Sequence, residues 1–466
     1  MNKSKTGNFR TQRTKGKQDY EVPGSTRAGS NFSEFGSAET QAPSEGAPSW
    51  ESRKLSSEYI NSTVKISGVD KPFLVLTLVI LLIGVIMVLS ASFARAFYTS
   101  GEPMRLFTRQ LVFAISGVAM MLLVSRIRIR TMSRWSTHLL LLSIALLILV
   151  LVIGNRINGS KRWIGIGGQN GSFTFQPSEI AKVAVILSFA QLMCKFGKAR
   201  MRTFGFGVLP FAVIIGTVDI LLGLETHLSA AIIITVLAAI MMFAGGTKIR
   251  WFLLAVLIVG MVAGMLVIMS LKTSSPEKDA QTAGEQQART QWGDKFGYAG
   301  ERIDAWLNPE VDPLDTGFQT RQSLLAVGSG GLLGQGLGQS RQKYLYLPEE
   351  HNDYIFAIVC EELGFIGAML ILMLFALLIV RGFWLALHAK DQYSSLITTG
   401  ITSLLAIQVF LNVAVVTNLV PATGISLPFF SYGGTALWIQ LVQMGIILAV
   451  SREIPLTKFE RQEIRQ

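Results

Sequence analysis

The chain consists of long apolar runs separated by shorter polar segments. Runs of about 17 or more apolar residues can cross a bilayer as helices. Ten such runs lie at about 73–94, 106–124, 137–154, 177–195, 207–222, 228–245, 251–271, 353–380, 395–419 and 429–450. The pattern therefore predicts an all-α polytopic membrane protein with about ten transmembrane helices. Only Glu225-Thr226-His227 separates the fifth run from the sixth, and these two runs alternatively form one re-entrant pair.

Cations in the connecting segments predict the orientation, because Lys and Arg are enriched in cytoplasmic loops. They occupy alternate segments at 126–134, 195–202, 248–250 and 381–390. We therefore expect these segments and both termini in the cytoplasm. On the outer side we expect the segments 155–176, 223–227 and 420–428 and one large loop, 272–352, between helices 7 and 8. Three cations depart from the rule and suggest that an anion is held outside: Arg156, Lys161 and Arg162.

The composition fits a membrane protein and argues against nucleic-acid binding. Only 15% of the residues are charged, against about 25% in soluble domains. The net charge of +12 does not indicate nucleic-acid binding, since the cations lie between apolar runs and not on one domain face. Two cysteines, Cys194 and Cys360, lie in or beside apolar runs and are predicted to be buried thiols.

Three regions follow from this distribution of polar residues. Residues 1–70 contain few large apolar side chains, which predicts a disordered cytoplasmic tail. No cleavable signal peptide is expected, since the first apolar run begins too late. The membrane domain then spans 71–452, and 453–466 forms a C-terminal cytoplasmic tail.

Glu179 and Lys182 are ionisable residues at the start of the fourth run. Pro177 suits a first helical turn, and a carboxylate there complements the helix dipole. The two side chains either form a structural i,i+3 pair or place a cation in a polar cavity. The residues alone leave both alternatives open.

The segment 302–367 carries the densest polar chemistry. Asn308-Pro309 and Asp312-Pro313 are turn-forming pairs. By spacing alone, Asp312 suits an Asx-turn or a helix cap as well as a reactive carboxylate. The run GSGGLLGQGLG, residues 328–338, lacks a Walker lysine pattern, so it serves close backbone packing or the cradling of a phosphate.

Acidic residues continue from this run into the eighth apolar run. A metal site built from His351, Asp353 and Glu361 competes there with capping and hydrogen-bonding roles, which we favour. Further on, Pro421 and Pro428 interrupt the helical pattern before the last run, and irregular polar backbone at this depth should line a cavity or be buried in protein.

Five motifs occur in order: NGSKRWI, QPSEIAK, NPEVDP…GFQ…QS, LPEEHNDYIFAIVCEELG and PATGISLPFFSYGG. With them, residues 70–452 resemble the SEDS family, which contains the FtsW, RodA and SpoVE types. The runs GLGQSRQK and LPEEHNDYIFAIVCEELG are closer to FtsW and SpoVE than to RodA. Two stretches depart from the family. Glu225-Thr226-His227-Leu228-Ser229 stands where many members carry Pro-Asp-Leu/Phe-Gly, and the polar insertion 273–293 is longer than expected.

The resemblance implies a peptidoglycan glycosyltransferase that polymerises lipid II into β-1,4 glycan strands. The transfer inverts the anomeric carbon, and undecaprenyl pyrophosphate leaves. The implied partners are the undecaprenyl-pyrophosphate-linked glycan, a class B penicillin-binding protein and divisome membrane proteins, with no nucleic acid. The implied location is the bacterial cytoplasmic membrane at the division septum.

The resemblance also implies roles for single residues. The family's essential loop aspartate matches Asp312, which we expect to be the general base. Alternatively, Asp312 holds a divalent cation, Mg²⁺ or Mn²⁺, on the pyrophosphate; no other cofactor is expected. Candidates for binding substrate or pyrophosphate are Arg156, Lys161, Arg162, Trp163, Lys182, Arg302, Gln319 and Lys343. Residues expected to shape the cavity are Glu179, Pro421, Ser431, Tyr432, Gly433 and Gly434.

Rival hypotheses are a lipid II flippase, which would suit many spans with an intramembrane Lys182, and a non-catalytic scaffold for a penicillin-binding protein. A role in spore-cortex synthesis is the alternative to division.

Overall fold

The structure is a computed structural model that describes residues 68–157, 160–166, 173–254, 302, 306 and 316–454. Of residues 155–157 it describes the backbone alone. Predictions for several segments therefore lie outside the described residues: the tail 1–67, the seventh run from 255 onward, the insertion 273–293, Asp312 and the C-terminal residues 455–466.

Eleven helices cover most of the described chain. They are α1 (Lys71–Ser100), α2 (Arg105–Val124), α3 (Ile129–Ile153), α4 (Pro177–Met201), α5 (Phe204–Gly207), α6 (Leu209–Leu224), α7 (Leu228–Ala244), α8 (Thr316–Ser329), α9 (Ile355–Leu387), α10 (Gln392–Val416) and α11 (Gly434–Glu453). Within the described residues, 8 segments are long and apolar enough to span a membrane, with α5 and α6 counted together, and α7 is a shorter apolar helix. The polytopic helical architecture is confirmed, whereas the number ten is not decided by these residues. Helix α8 lies inside the stretch expected to be the large loop.

Aspartates outside the helices fix two of the helix starts. The Asp70 carboxylate accepts a hydrogen bond from the Phe73 amide at 2.9 Å, and the Asp391 carboxylate accepts one from the Ser394 amide at 2.8 Å. Each side chain satisfies a backbone donor that the first turn leaves unpaired. Asp70 also forms an ion pair with Arg381 at 2.6 Å, which joins the start of α1 to α9.

The helices differ in how completely they are enclosed. Helices α4, α10 and α11 are buried along most of their length. In contrast, α2 and α3 expose large apolar side chains such as Ile115, Leu123 and Val152. A helix that is apolar all round suits a membrane interior, and an exposed apolar face suits contact with lipid. The main packing partners are α2 with α11, α3 with α4, and α9 with both α1 and α10.

A small antiparallel sheet follows α3, where the sequence predicted only a helical fold and loops. Its strands are β1 (Asn155–Ile157), β2 (Ser160–Ile166) and β3 (Phe173–Phe175), in the order β1-β2-β3. Lys161 pairs with Arg156, and Ile164 pairs with Phe175. The sheet holds Arg162 and Trp163 in its central strand, β2, and β3 leads directly into α4.

A kink in α9 explains the glycine-rich run. Gly364 has φ 67° and ψ −172°, which breaks the helix and is a conformation open essentially to glycine. The carbonyls of Glu361 and Glu362 accept hydrogen bonds from the amides of Gln335 and Gly336, each at 3.0 Å. These two amides are thus engaged by α9. Of the two roles left open by the sequence, close backbone packing is the one this contact shows.

Candidate functional site

A cavity of about 1150 Å³ opens at one end of the helix bundle. Its wall comes from α1 and α2, strand β2, the N-terminal part of α4, the turn before α7, the segment before α9 and the segment before α11. Each segment that we expected on the outer side contributes described residues to this wall. Predicted site residues in the wall are Arg162, Trp163, Glu179, Lys182, Arg302, Gln319 and Tyr432.

Cations from three separate elements share this wall. Arg162 comes from β2, Lys182 from α4, and Arg302 from the stretch before α8. Arg302 donates a hydrogen bond to the carbonyl of Ala422, which fixes its guanidinium against the segment before α11. Guanidinium and ammonium groups gathered in a partly enclosed space attract anionic groups such as phosphates.

Glu179 and Lys182 form the i,i+3 pair that the spacing allowed. The Lys182 Nζ lies 2.7 Å from the Glu179 Oε1, and both side chains are less than one-tenth exposed. Both residues also line the cavity. The ion pair and the cavity-lining cation, which the sequence left as alternatives, therefore occur together, since this pair is part of the cavity wall.

Sequence reasoning missed a second group of cations, from the junction of α1 and α2. Arg95, Arg105 and Arg109 line the same cavity. Arg95 pairs with the buried Glu350 at 2.9 Å. The signal was available, since Arg95 interrupts the end of an apolar run and Arg105 and Arg109 begin the next.

Asp353 contributes a carboxylate to the wall beside these cations. Burial, and then the charge of Glu349, raises its pKa to about 6, against the lowering effect of Arg302 and Arg162. A carboxyl group with a pKa near 6 exchanges a proton more readily near neutral pH than an ordinary aspartate does. The sequence had named Asp353 only as a metal ligand or a cap.

The metal set His351, Asp353 and Glu361 is not assembled. The described residues include no group of three or more His, Cys, Asp or Glu side chains that could hold a metal ion. Glu361 is instead hydrogen-bonded to the Ser340 hydroxyl, at 2.5 Å, and to the Arg341 amide, at 2.9 Å. Its carboxylate thus has the hydrogen-bonding role that the sequence favoured.

Lys343 lies apart from the cavity wall. Its Nζ is 2.9 Å from the Glu362 Oε1, and the two side chains are 3% and 0% exposed. The Ser90 hydroxyl bonds the same carboxylate at 2.6 Å. Because Lys343 does not line the cavity, it is not positioned to clamp a phosphate there, and the structure places it in a structural ion pair.

Of the residues before α11, one lines the cavity and others hold the segment in place. Tyr432 lines the cavity. The Ser431 hydroxyl donates to the Asn352 carbonyl at 2.7 Å and accepts from the Leu427 amide at 2.8 Å. The Gly433 amide donates to the Gln110 side chain at 3.4 Å, and Gly434 lies against the Phe113 ring. Pro421 precedes the wall residue Ala422.

Other predicted residues are placed less fully. Lys161 is half-buried in β2 and is not among the residues lining the cavity. The Arg156 side chain and the whole of Asp312 lie outside the described residues, so their predicted roles stay predictions. His227, at the departure from the family motif, lines the cavity.

Comparisons with known proteins identify the family of this chain. The family model FTSW_RODA_SPOVE, described as "Cell cycle protein", matches residues 71–455. Stage V sporulation protein E of Bacillus subtilis is 40% identical over 84% of this chain and 99% of its own length. The probable peptidoglycan glycosyltransferase FtsW of Geobacter sulfurreducens is 37% identical over 84% of this chain and 97% of its own length.

A solved structure is also similar. It is described as "Structural coordination of polymerization and crosslinking by a peptidoglycan synthase complex". The TM-score is 0.62 at 26% identity, and the match covers 82% of this chain and 98% of the other. The family match spans the whole bundle, including every described element that lines the cavity. This chain is therefore a multi-pass membrane protein that belongs to the FtsW/RodA/SpoVE family of cell cycle proteins.

Proposed function

We propose that this protein is a peptidoglycan glycosyltransferase that polymerises lipid II into β-1,4 glycan strands during septal cell-wall synthesis. The observation that carries the proposal is the cation-lined cavity of about 1150 Å³ in a chain of this family. The relative from Geobacter sulfurreducens that is named a probable peptidoglycan glycosyltransferase supports it.

The wall chemistry suits a glycosyl transfer with a pyrophosphate leaving group. Negative charge develops on the pyrophosphate as the bond to the anomeric carbon breaks, and preorganised cations stabilise it. Arg162, Lys182 and Arg302 supply that charge in the wall. An acceptor hydroxyl attacks the opposite face of the donor sugar, so one displacement inverts the anomeric carbon.

A general base must take the proton of the acceptor hydroxyl. We assign this task to Asp312, on the family motif. Asp353 lines the same cavity, and its raised pKa fits a second proton-holding carboxyl group near the cations. Alternatively, Asp312 would hold a Mg²⁺ or Mn²⁺ ion on the pyrophosphate. If present, it would neutralise charge on the pyrophosphate.

The proposal includes partners and location. A class B penicillin-binding protein would crosslink the strands as they emerge, and the solved structure of a peptidoglycan synthase complex supports such a partnership. Divisome membrane proteins would hold the pair at the septum, with both termini of this chain in the cytoplasm. The relative named for stage V of sporulation motivates the cortex alternative, which imaging of a fluorescent fusion in dividing and sporulating cells would decide.

Glycan polymerisation by the purified chain tests the activity. Lipid II is added with and without the penicillin-binding partner, and the products are separated by length. We expect polymer from the wild type, none from Asp312→Asn, and a rate at least about tenfold lower from Arg162→Gln. Arg134→Gln, which removes an exposed arginine on α3, is the matched control and should act as the wild type.

Contrary results are equally informative. Equal polymer from Asp312→Asn and the wild type would refute the assignment of the base. A wild type that moves lipid II across vesicle membranes but makes no polymer, even with its partner, would replace the enzyme with a flippase. Normal assembly with the partner and neither activity would leave the scaffold hypothesis.

A further inference from the structure

The turn between α6 and α7 is held in an unusual backbone conformation. Thr226 has φ 56°, in the left-handed region, which a β-branched residue rarely adopts. The amides of Glu225 and His227 donate to the carbonyls of Leu221, at 3.1 Å, and Leu222, at 2.8 Å. Strain of this kind persists only where the surroundings impose it, and it is concentrated at functional sites.

The segment before α11 anchors the same turn from the other side. The Ser229 hydroxyl donates to the carbonyl of Thr423, next to the wall residue Ala422. The turn is thus fixed at both ends, and its two ionisable side chains are directed into the protein. Glu225 is 1% exposed and His227 is 6% exposed.

His227 has one ring nitrogen that the described part of the protein does not satisfy. It lines the cavity, and its Nδ1 is enclosed without a hydrogen-bond partner among the described residues. An enclosed N–H without a partner costs more than an enclosed lone pair, which favours the tautomer with the proton on Nε2. The Nε2 atom is not among the enclosed side-chain atoms without a partner, so it is the nitrogen that a molecule in the cavity can reach.

The surroundings keep this imidazole uncharged. Burial, and then the charges of Arg162 on β2 and Lys182 on α4, lower the pKa of His227 to about 3. Burial raises the pKa of the neighbouring Glu225 to about 8, against the effect of Arg162, so that this carboxyl group also stays neutral near pH 7. The turn therefore adds a neutral donor to a wall that is otherwise rich in cations.

We infer that His227 is a substrate-binding residue whose Nε2–H donates a hydrogen bond to an oxygen atom of the lipid-linked saccharide pyrophosphate. This inference rests on the proposed function.

Two substitutions separate this role from simple packing. His227→Gln keeps an N–H donor at a similar reach, whereas His227→Leu fills the space without a donor. His138→Leu, at an exposed position on α3, is the matched control. All variants are tested as the full chain in detergent, with thermal unfolding measured first to establish that each is folded.

Binding of lipid II and of undecaprenyl pyrophosphate is then measured under conditions without turnover. We expect His227→Leu to weaken lipid II binding about three- to tenfold, the usual effect of losing one neutral hydrogen bond. His227→Gln and His138→Leu should stay within about twofold of the wild type. Wild-type affinity should not change between about pH 6 and 8 through this group, since the imidazole stays neutral.

The second ligand identifies the atom that is contacted. Loss of lipid II binding alone means that His227 bonds a sugar oxygen, and loss with both ligands means that it bonds the pyrophosphate. A folded His227→Leu that binds both ligands as the wild type does would overturn the inference, as would an equal loss in His227→Gln and His227→Leu. Because binding is measured without turnover, a wild type that binds but does not polymerise would refute the proposed function and leave the inference standing.

Discussion

The buried ion pair between Lys343 and Glu362 gives the sharpest prediction for stability. The two charged atoms are 2.9 Å apart in side chains that are 3% and 0% exposed. Lys343→Met leaves the Glu362 carboxylate enclosed with hydrogen-bond donors but without a counter-charge. Breaking a buried pair by removing one partner typically destabilises a protein by about 3–5 kcal/mol. We expect a loss of that size.

Removing both charges should restore most of this loss. The double variant Lys343→Met, Glu362→Gln keeps an oxygen to accept the Ser90 hydroxyl, which lies 2.6–2.7 Å from the carboxylate, and leaves no isolated charge. We expect it to lie within about 1–2 kcal/mol of the wild type. Lys390→Met, at an exposed position, is the control and should change stability by less than about 0.5 kcal/mol.

Unfolding in mixed micelles with increasing sodium dodecyl sulfate, followed by tryptophan fluorescence, measures these free energies. A loss below about 1 kcal/mol for Lys343→Met would refute the reasoning. So would a double variant as unstable as the single one. The double variant should also bind lipid II as the wild type does. A tenfold weaker affinity would return Lys343 to the phosphate-binding residues that the sequence suggested.

Three further predictions concern other sites. Because burial raises the pKa of Asp353 to about 6, the carboxyl group is favourable to folding only when protonated. The unfolding free energy of Asp353→Asn should therefore equal that of the wild type at about pH 4 and exceed it by about 2–3 kcal/mol at about pH 7.5. A difference that stays constant across pH would contradict this. Gly364→Ala should destabilise the chain by at least about 3 kcal/mol, because the added Cβ would lie 2.2 Å from the Gly334 nitrogen. The control Gly328→Ala has open space around the added Cβ and should be neutral or stabilising. Thr226→Gly should raise the unfolding free energy by about 0.5–1 kcal/mol by relieving its left-handed backbone, while Thr217→Gly inside α6 should lower it by about 0.3–0.5 kcal/mol.

Local patterns predicted much of the architecture because the membrane leaves few choices. Backbone groups in lipid must bond within the segment, so a long apolar run must be a helix. The predicted run 106–124 agrees closely with helix α2, Arg105–Val124. Pro177 begins α4 as its fixed φ suggested, and the Glu179–Lys182 pair formed at i,i+3 spacing. Such features depend on neighbours in the chain, which the sequence shows directly.

Features that depend on distant partners were not predicted. Strands β1 and β3 have three residues each, too short to show an alternation that distinguishes a strand from a loop. The choice of Glu362 as the partner of Lys343 depends on how the glycine-rich run meets the kink in α9. The pairing of Arg95 with Glu350 joins α1 to the segment before α9, which their neighbours in the chain do not indicate. Each required knowledge of which segments meet, which single-chain patterns do not contain.

The hydrogen bonds around Asn412 have a mechanical consequence for entry of the substrate. Its amide group donates to the carbonyls of Asp353, at 2.8 Å, and Ile425, at 2.7 Å, and the Tyr432 amide donates to the His351 carbonyl at 2.8 Å. These bonds connect the segments before α9 and α11 to each other and to α10, so that the three should move as one unit. If the cavity widens to admit a bulky lipid-linked sugar, the movement must come from a wall element outside this bonded group, such as strand β2.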